Sequence, residues 1–382
     1  MDDVYIIAAK RTPQGRFMGG LAKHSAVDLG VAAGRATLDG IDPDVIDQVI
    51  VGNVLAAGQG MSVARQIGVT LDVPLDRPAF TVNMMCGSGM QAVALADQAI
   101  RLGSARAVLC GGIESMSNAP YLLDRARGGY KLGDGILIDS VLRDGLVDSF
   151  DGRHMGVHTD RLASEYGIDR AAQDEFAWAS QQRTAAAQAA NVFADEIVAV
   201  GDVTTDEHPR PDTTIEKLAT LSPAFGADGT VTAGNASGIN DGAAMLVVCD
   251  PDTASQLGRA PLAKITGHTA VGCEPQRFGI GPVLATRTLC SETGVAPDAL
   301  DVIEMNEAFA AQVLACVREL GINRERLNPH GGAIALGHPI GASGARLVAH
   351  LAHQTGRGLA RRSAATACVG GGMGAAMMLE VV

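Results

Sequence analysis

Apolar residues fall in short unbroken runs along this chain. Val4–Ala9, Gln48–Val51, Ala79–Val82, Ala105–Leu109, Ala243–Cys249 and Val302–Met305 are bounded by Gly, Pro, Asn or charged residues. Runs of this length and boundary chemistry predict buried strands. Between them, helical patterns cover Ala26–Leu38, Met90–Arg101 and Arg170–Ala190. The first strand is expected to end at Lys10-Arg11-Thr12-Pro13, and Ala105–Leu109 to be closed by Gly111-Gly112. Strands alternating with helices predict an α/β fold.

The rhythm breaks between about residue 117 and residue 239. That stretch holds most of the Pro, charge and Gly-Gly punctuation, as in Arg127-Gly-Gly-Tyr130 and His208-Pro-Arg-Pro211. It reads as an insertion. Around it, an internal repeat recurs at an offset of about 255 residues. Pro43-Asp-Val-Ile-Asp-Gln-Val-Ile-Val-Gly-Asn53 echoes Pro297-Asp-Ala-Leu-Asp-Val-Ile-Glu-Met-Asn306. Gly87-Ser-Gly89 echoes Ala342-Ser-Gly344, and Ala107-Val-Leu-Cys-Gly-Gly112 echoes Ala367-Cys-Val-Gly-Gly-Gly372. Three matches in one order indicate duplication. The expected organisation is a first half of residues 1–116 plus 240–261, an inserted loop domain of residues 117–239, and a second half of residues 262–382. A duplicated α/β unit brings its turns to a shared cleft.

Composition narrows the classes. The chain has 382 residues, 47% hydrophobic, with a net charge of −12 and only 3% aromatic residues. It lacks the positive charge and the stacking rings of a nucleic-acid binder. Seven cysteines without a C-x-x-C pair suit neither a zinc site nor a disulfide framework, so a reducing, cytoplasmic compartment is expected. The N-terminal residues have acids where a secretory signal needs bases. No apolar run approaches the length of a membrane span.

Four places could carry chemistry. Cys86 precedes Gly-Ser-Gly and a helix, where the helix dipole and free amides favour thiolate, and those same amides could hold an oxyanion. His338 lies in the glycine-rich stretch Gly331–Gly344 and can act as base or donor. Cys368 begins Cys-Val-Gly-Gly-Gly-Met-Gly374. Cys86 and Cys368 stand at nearly repeat-related turns, so two thiols are expected at one cleft, one to form a thioester and one to move a proton from carbon. Asn306, at the end of the strand Val302–Met305, can hold a water or a carbonyl oxygen, or simply cap a helix. The other five cysteines read as structural.

Cys86-Gly-Ser-Gly, Asn306-Glu-Ala-Phe, Gly337-His-Pro-Ile-Gly and Cys368-Val-Gly-Gly-Gly-Met-Gly occur in the order seen in the thiolase family, and the resemblance spans essentially the whole chain. It implies two stacked halves forming a five-layer αβαβα core with a loop domain inserted in the first. It also implies roles. Cys86 resembles the nucleophile and Cys368 the acid/base that takes the α-proton of acetyl-CoA. His338 resembles the partner that activates Cys86 and also donates to the second thioester oxygen, beside an Asn306-held water. The amides of Cys86 and Gly370 resemble a second oxyanion hole. Ser237 matches a pantetheine contact. His154, Met155, Phe225, Phe278 and Phe309 match the lining of a pantetheine and acyl tunnel. Arg210 matches, in a poorly aligned stretch, a contact to the coenzyme A nucleotide. The implied chemistry is ping-pong condensation of two acetyl-CoA, with coenzyme A and acyl-CoA as substrates, no metal or cofactor, and a homotetramer as the assembly. A degradative 3-ketoacyl-CoA thiolase and a non-catalytic coenzyme A-binding scaffold are the alternatives. Gly-Gly-Gly-Met-Gly, His154-Met-Gly156, Glu114-Ser-Met-Ser117 and Arg127–Gly133 favour the short-chain type, whereas Asn328-Pro-His330 and Phe278 depart from it.

Overall fold

The computed structural model describes residues 3–382. Five strands come from the first part of the chain: β1 (Val4–Arg11), β2 (Gln48–Gly52), β3 (Ala79–Val82), β4 (Ala107–Ser115) and β5 (Asn240–Cys249). Four come from the last part: β6 (Ala263–Gly272), β7 (Val302–Met305), β8 (Arg362–Val369) and β9 (Met373–Glu380). They pair in the order β3-β2-β4-β5-β1-β6-β9-β8-β7. The two-residue strand Gly15–Arg16 pairs with β5 off this path.

Outward from the β1–β6 seam the order repeats, β1-β5-β4-β2 on one side and β6-β9-β8-β7 on the other. The strand senses repeat as well. β2–β4 and β7–β8 are parallel. β4–β5, β8–β9, β5–β1 and β9–β6 are antiparallel. A single 3-10 turn precedes β2 at Pro43–Val45 and β7 at Pro297–Ala299, so the prolines of the sequence repeat open equivalent turns.

The longer helices are α1 (Ala26–Thr37), α2 (Val63–Thr70), α3 (Ser88–Arg101), α4 (Met155–Glu165), α5 (Arg170–Ala189), α6 (Gly281–Thr293), α7 (Ala310–Leu320) and α8 (Ile340–Gly356). Side-chain alternation assigns them to layers. Along β5, Met245 and Val247 join Leu29 and Ile67 of α1 and α2 in an outer core. Leu246 and Val248 face the other way and join Val93 of α3 and Leu347 and Leu351 of α8. Met377 of β9 shares that central core, while its neighbour Met378 packs with Leu289 of α6 and Val313 of α7. The layers are therefore helix, sheet, helix, sheet, helix. A strand covered on both faces needs no polar face, which is why the Ala243–Cys249 part of β5 reads as an unbroken apolar run.

Helices α3 and α8 cross in the central layer at the repeat-related glycines. A Cβ on Gly89 would lie 2.7 Å from the Ala345 nitrogen, and one on Gly344 would lie 2.6 Å from the Met90 nitrogen. Close backbone approach is what glycine permits here.

Two sequence expectations change. β1 runs through Lys10 and Arg11 because Arg11 is buried, its guanidinium held by Glu196 at 2.6 Å and by both oxygens of Asp206 at 2.6 and 3.0 Å. A charge that finds two buried partners does not end a strand. β4 begins two residues later than expected and continues past Gly111-Gly112 to Ser115. Those glycines are places of contact rather than a turn: a Cβ on Gly112 would lie 2.2 Å from the Gly341 oxygen, and one on Gly111 would lie 2.1 Å from the Ala244 oxygen.

Candidate active site

Cys86 stands where the chain turns from β3 into α3. Met85 just before it has φ +46°, a left-handed conformation that a side chain rarely adopts. The turn is pinned locally. Asn83 Oδ1 accepts from the Met85 amide at 3.0 Å, the Ser88 hydroxyl donates to the Met85 carbonyl at 2.6 Å, and it accepts from the Met84 amide at 2.9 Å. Gly87 is the N-cap of α3. The backbone amides of Gly370 and of Cys86 itself both hydrogen-bond toward the Cys86 sulfur.

The helix start and its free amides favour thiolate at Cys86, and in the fold the balance goes the other way. Burial pushes the thiol up to about 11, outweighing the two amides, and Glu114 adds to the rise. Cys368 is raised well above the usual thiol value, first by burial and then by Cys86. Both sulfurs therefore rest as thiols. Nor are the two cysteines repeat-equivalent. Cys86 precedes α3, whose counterpart is α8, while Cys368 lies inside β8 opposite Gly374. The halves contribute different turns to one place.

His338 is fixed from three sides. Gly337, at φ +107°, leads into it, and a Cβ there would lie 2.6 Å from the Asn240 side chain. Asn240 Oδ1 accepts the His338 amide at 2.9 Å, and its Nδ2 donates to the Gly15 carbonyl at 2.8 Å. The ring Nδ1 is 2.6 Å from Ser343 Oγ, whose hydroxyl donates to the Pro339 carbonyl at 2.9 Å. A hydroxyl that donates elsewhere must accept from the ring, so Nδ1 carries the proton and Nε2 presents a lone pair. Asn306 Nδ2 lies 3.4 Å from that Nε2. Burial, with a smaller push from the Arg346 cation, holds His338 down at about 3, so the ring is neutral.

Asn306 is not a helix cap. Helix α7 begins after Phe309, which makes no side-chain cap bond. The Asn306 amide donates to the Thr366 carbonyl at 2.9 Å, and its buried Oδ1 has no protein partner.

One apolar cavity of about 300 Å³ brings Cys86, His338 and Cys368 together, and Asn306 is not on its wall. Cys86, His338, Cys368 and Gly370 line it together with Ser237, His154, Met155, Phe225, Phe278 and Phe309. His154 stacks on Phe225 with centroids 4.4 Å apart, and Phe309 meets Phe225 and Phe278 edge-on at 6.4 Å each. Arg210 is not among them. It lines an adjoining pocket of about 240 Å³ with His208 and Lys217, and Ala233 is common to both.

The supporting roles of three residues escaped the sequence reading. Ser343 and Asn240 orient His338, as above. Glu114, at the end of β4, accepts from Asn53 Nδ2 at 2.8 Å and from the amides of Val54, Leu55 and Gly341 at 3.1, 3.2 and 3.0 Å. It thereby ties the first half to the start of α8. Burial still lifts its carboxyl to about 7, against the pull of those donors. The available signal was a lone carboxylate closing an apolar strand.

The chain belongs to the thiolase family: the thiolase N-terminal domain matches residues 4–252 and the thiolase C-terminal domain residues 259–381. It is 48% identical to an acetyl-CoA acetyltransferase of Chromobacterium violaceum, over 99% of each chain. It is also 48% identical to one of Escherichia coli strain K12, over 100% of this chain and 99% of that one. Among solved structures it superposes on human mitochondrial 3-ketoacyl-CoA thiolase in complex with CoA with a TM-score of 0.97 at 41% identity, covering 100% of this chain and 98% of that one.

Proposed function

We propose that this chain is an acetyl-CoA C-acetyltransferase, making acetoacetyl-CoA and coenzyme A from two acetyl-CoA through an acetyl-Cys86 intermediate, and running the reverse thiolysis at the same site. The observation that carries this reading is the single apolar cavity holding two thiols, a tautomer-fixed histidine and a pair of convergent amides.

In the first half-reaction His338 Nε2 takes the Cys86 proton and the thiolate attacks the thioester carbonyl. The tetrahedral oxyanion is held by the amides of Cys86 and Gly370. As it collapses, the proton passes from His338 to the departing coenzyme A sulfur. In the second half-reaction Cys368 passes its own proton to His338 Nε2 and, as thiolate, removes the α-proton of a second acetyl-CoA. The enolate oxygen needs donors, and they come from His338 Nε2–H and an Asn306-held water. The Ser343 hydroxyl keeps its bond to the ring Nδ1–H throughout, so the ring gains and gives up protons at Nε2 alone. The enolate carbon attacks the acetyl-Cys86 carbonyl, releasing acetoacetyl-CoA and the Cys86 thiolate; His338 Nε2–H returns its proton to Cys86 while Cys368 keeps the proton taken from carbon, so both thiols and the neutral ring are restored. No step calls for a metal or a redox cofactor. Ser237, His154, Met155 and the three phenylalanines would seat the pantetheine arm and acyl group. Arg210 would reach the nucleotide end from the neighbouring pocket.

Acetyl-CoA should label Cys86 in the native enzyme, and Cys86→Ala should take up no acetyl group. Full labelling of that variant would sink the reading. A degradative role is the second reading, favoured by the likeness to human 3-ketoacyl-CoA thiolase. Thiolysis rates of acetoacetyl-CoA against a long-chain 3-ketoacyl-CoA separate the two.

The same reading includes the division at residues 116, 239 and 261, a cytoplasmic location and a homotetramer. The tetramer is supported by apolar side chains on and around the hairpin strands Tyr121–Leu123 and Leu137–Asp139, where Leu132 is 99% and Ile136 76% exposed. Among the described residues, no helix is long and apolar enough to cross a membrane.

A further inference from the structure

Beside the cavity wall, and outside the machinery above, three side chains converge without a role. Asp148 and Asp151 lie on the loop that follows Leu146, and His158 lies in the first turn of α4. The loop closes on itself. Val147 bridges His154, the Asp148 amide donates to the Arg153 carbonyl, and the Gly152 amide donates to the Asp148 carbonyl, both at 2.8 Å. One donor atom from each of the three side chains lies within 4.8 Å of the others. His158 Nε2 is 3.5 Å from Asp148 Oδ2 and 3.2 Å from Asp151 Oδ1. Ligands held about 2.05 Å from a tetrahedral zinc ion stand about 3.3 Å apart, so both spacings fit one metal sphere.

A separate observation points the same way. The Asp148 side chain is fully buried, and its Oδ2, the oxygen that faces His158, has no hydrogen-bond donor. The Phe150 amide goes to the other oxygen, Oδ1, at 3.0 Å. A buried carboxylate oxygen without a donor is costly. A divalent cation between the three side chains satisfies it. Asp151 Oδ1, which faces His158, also accepts from the Arg153 amide at 3.0 Å, and the Arg153 guanidinium comes within 4.0 Å of the outer oxygen, Oδ2.

We propose that Asp148, Asp151 and His158 form a structural site for a divalent transition cation of the zinc type, with solvent completing the coordination on the open side of Asp151. The ion cross-links the loop to α4. Gly145, Leu146, His154 and Met155, which wall the acyl cavity, flank the ligands on either side. Carboxylate and imidazole ligands suit zinc and its neighbours in the first transition row. The ion takes no part in acetyl transfer.

The test is metal titration of the whole chain after chelator treatment and dialysis. Cobalt(II) should bind at one ion per chain, with the visible bands of a four-coordinate ion and no sulfur-to-cobalt charge-transfer band. Zinc should displace it and raise the melting temperature. Asp151→Asn, at a quarter-exposed position, and His158→Gln should each lose this ion and the zinc-dependent rise. Acetylation of Cys86 in Asp151→Asn verifies that the variant is folded. No bound cobalt, a charge-transfer band showing thiolate ligands instead, or unchanged binding in a folded Asp151→Asn would each overturn the proposal.

Discussion

Residue by residue, the candidate site works with neutral groups. Cys86 sits near 11 and His338 near 3, each shifted chiefly by burial. Alkylation of the free enzyme by iodoacetamide should therefore climb about tenfold per pH unit across the neutral range without levelling. A plateau near pH 7 would show a thiolate that the buried environment does not favour. Ser343→Ala should lower the rates of both half-reactions while leaving the fold intact, since only the ring orientation and tautomer lose their support. A change in KM alone would count against that role. Glu114 gives a stability prediction. Its carboxyl, raised to about 7 in the fold, is protonated there at pH values where the unfolded chain has already lost the proton. Its contribution is complete below the ordinary value of 4.5 and is lost as pH rises through 7. Glu114→Gln should therefore gain stability relative to the native chain between those pH values, as read by denaturant unfolding. A constant difference would mean that the carboxyl stays ionised.

At the scale of elements, much was legible because apolar runs covered on both faces are hard to mistake. β2, β3 and β7 lie within a residue of their expected bounds, and α5 within one. What misled was polarity and glycine read locally. Lys10-Arg11 looked like the end of a strand because Glu196 and Asp206, far along the chain, cannot be seen beside it. Gly111-Gly112 looked like a turn because the backbones of Ala244 and Gly341, which crowd them, are likewise distant in sequence. The same logic makes the α3–α8 crossing sensitive. Gly89→Ala places a methyl group 2.7 Å from the Ala345 nitrogen and 3.0 Å from the Gly341 oxygen. It should cost about 1–3 kcal/mol or more, since neither backbone can yield without moving a central helix. Denaturant midpoints of the variant and the native chain measure this, and equal midpoints would show that the helices can separate freely.

For the whole molecule, duplication decides where the chemistry sits. The repeat was visible in three short echoes, and the strand order makes each half the counterpart of the other about the β1–β6 seam. The site, however, is not itself duplicated. The first half supplies a cysteine before a central helix, and the second supplies a histidine before the matching helix and a cysteine in a strand. The motifs marked which residues to watch. They could not show that Ser343, Asn240 and Glu114 hold them, since those supports depend on contacts between distant segments.

The division of labour between the two thiols is the central claim, and intact-mass analysis of two single variants tests it most directly. Cys368→Ala, mixed with acetyl-CoA, should carry one acetyl group on Cys86, make no acetoacetyl-CoA and exchange no α-hydrogen of acetyl-CoA with deuterium from solvent. Cys86→Ala should carry none. Acetyl found on Cys368 in the second variant, or α-hydrogen exchange persisting in the first, would contradict the account.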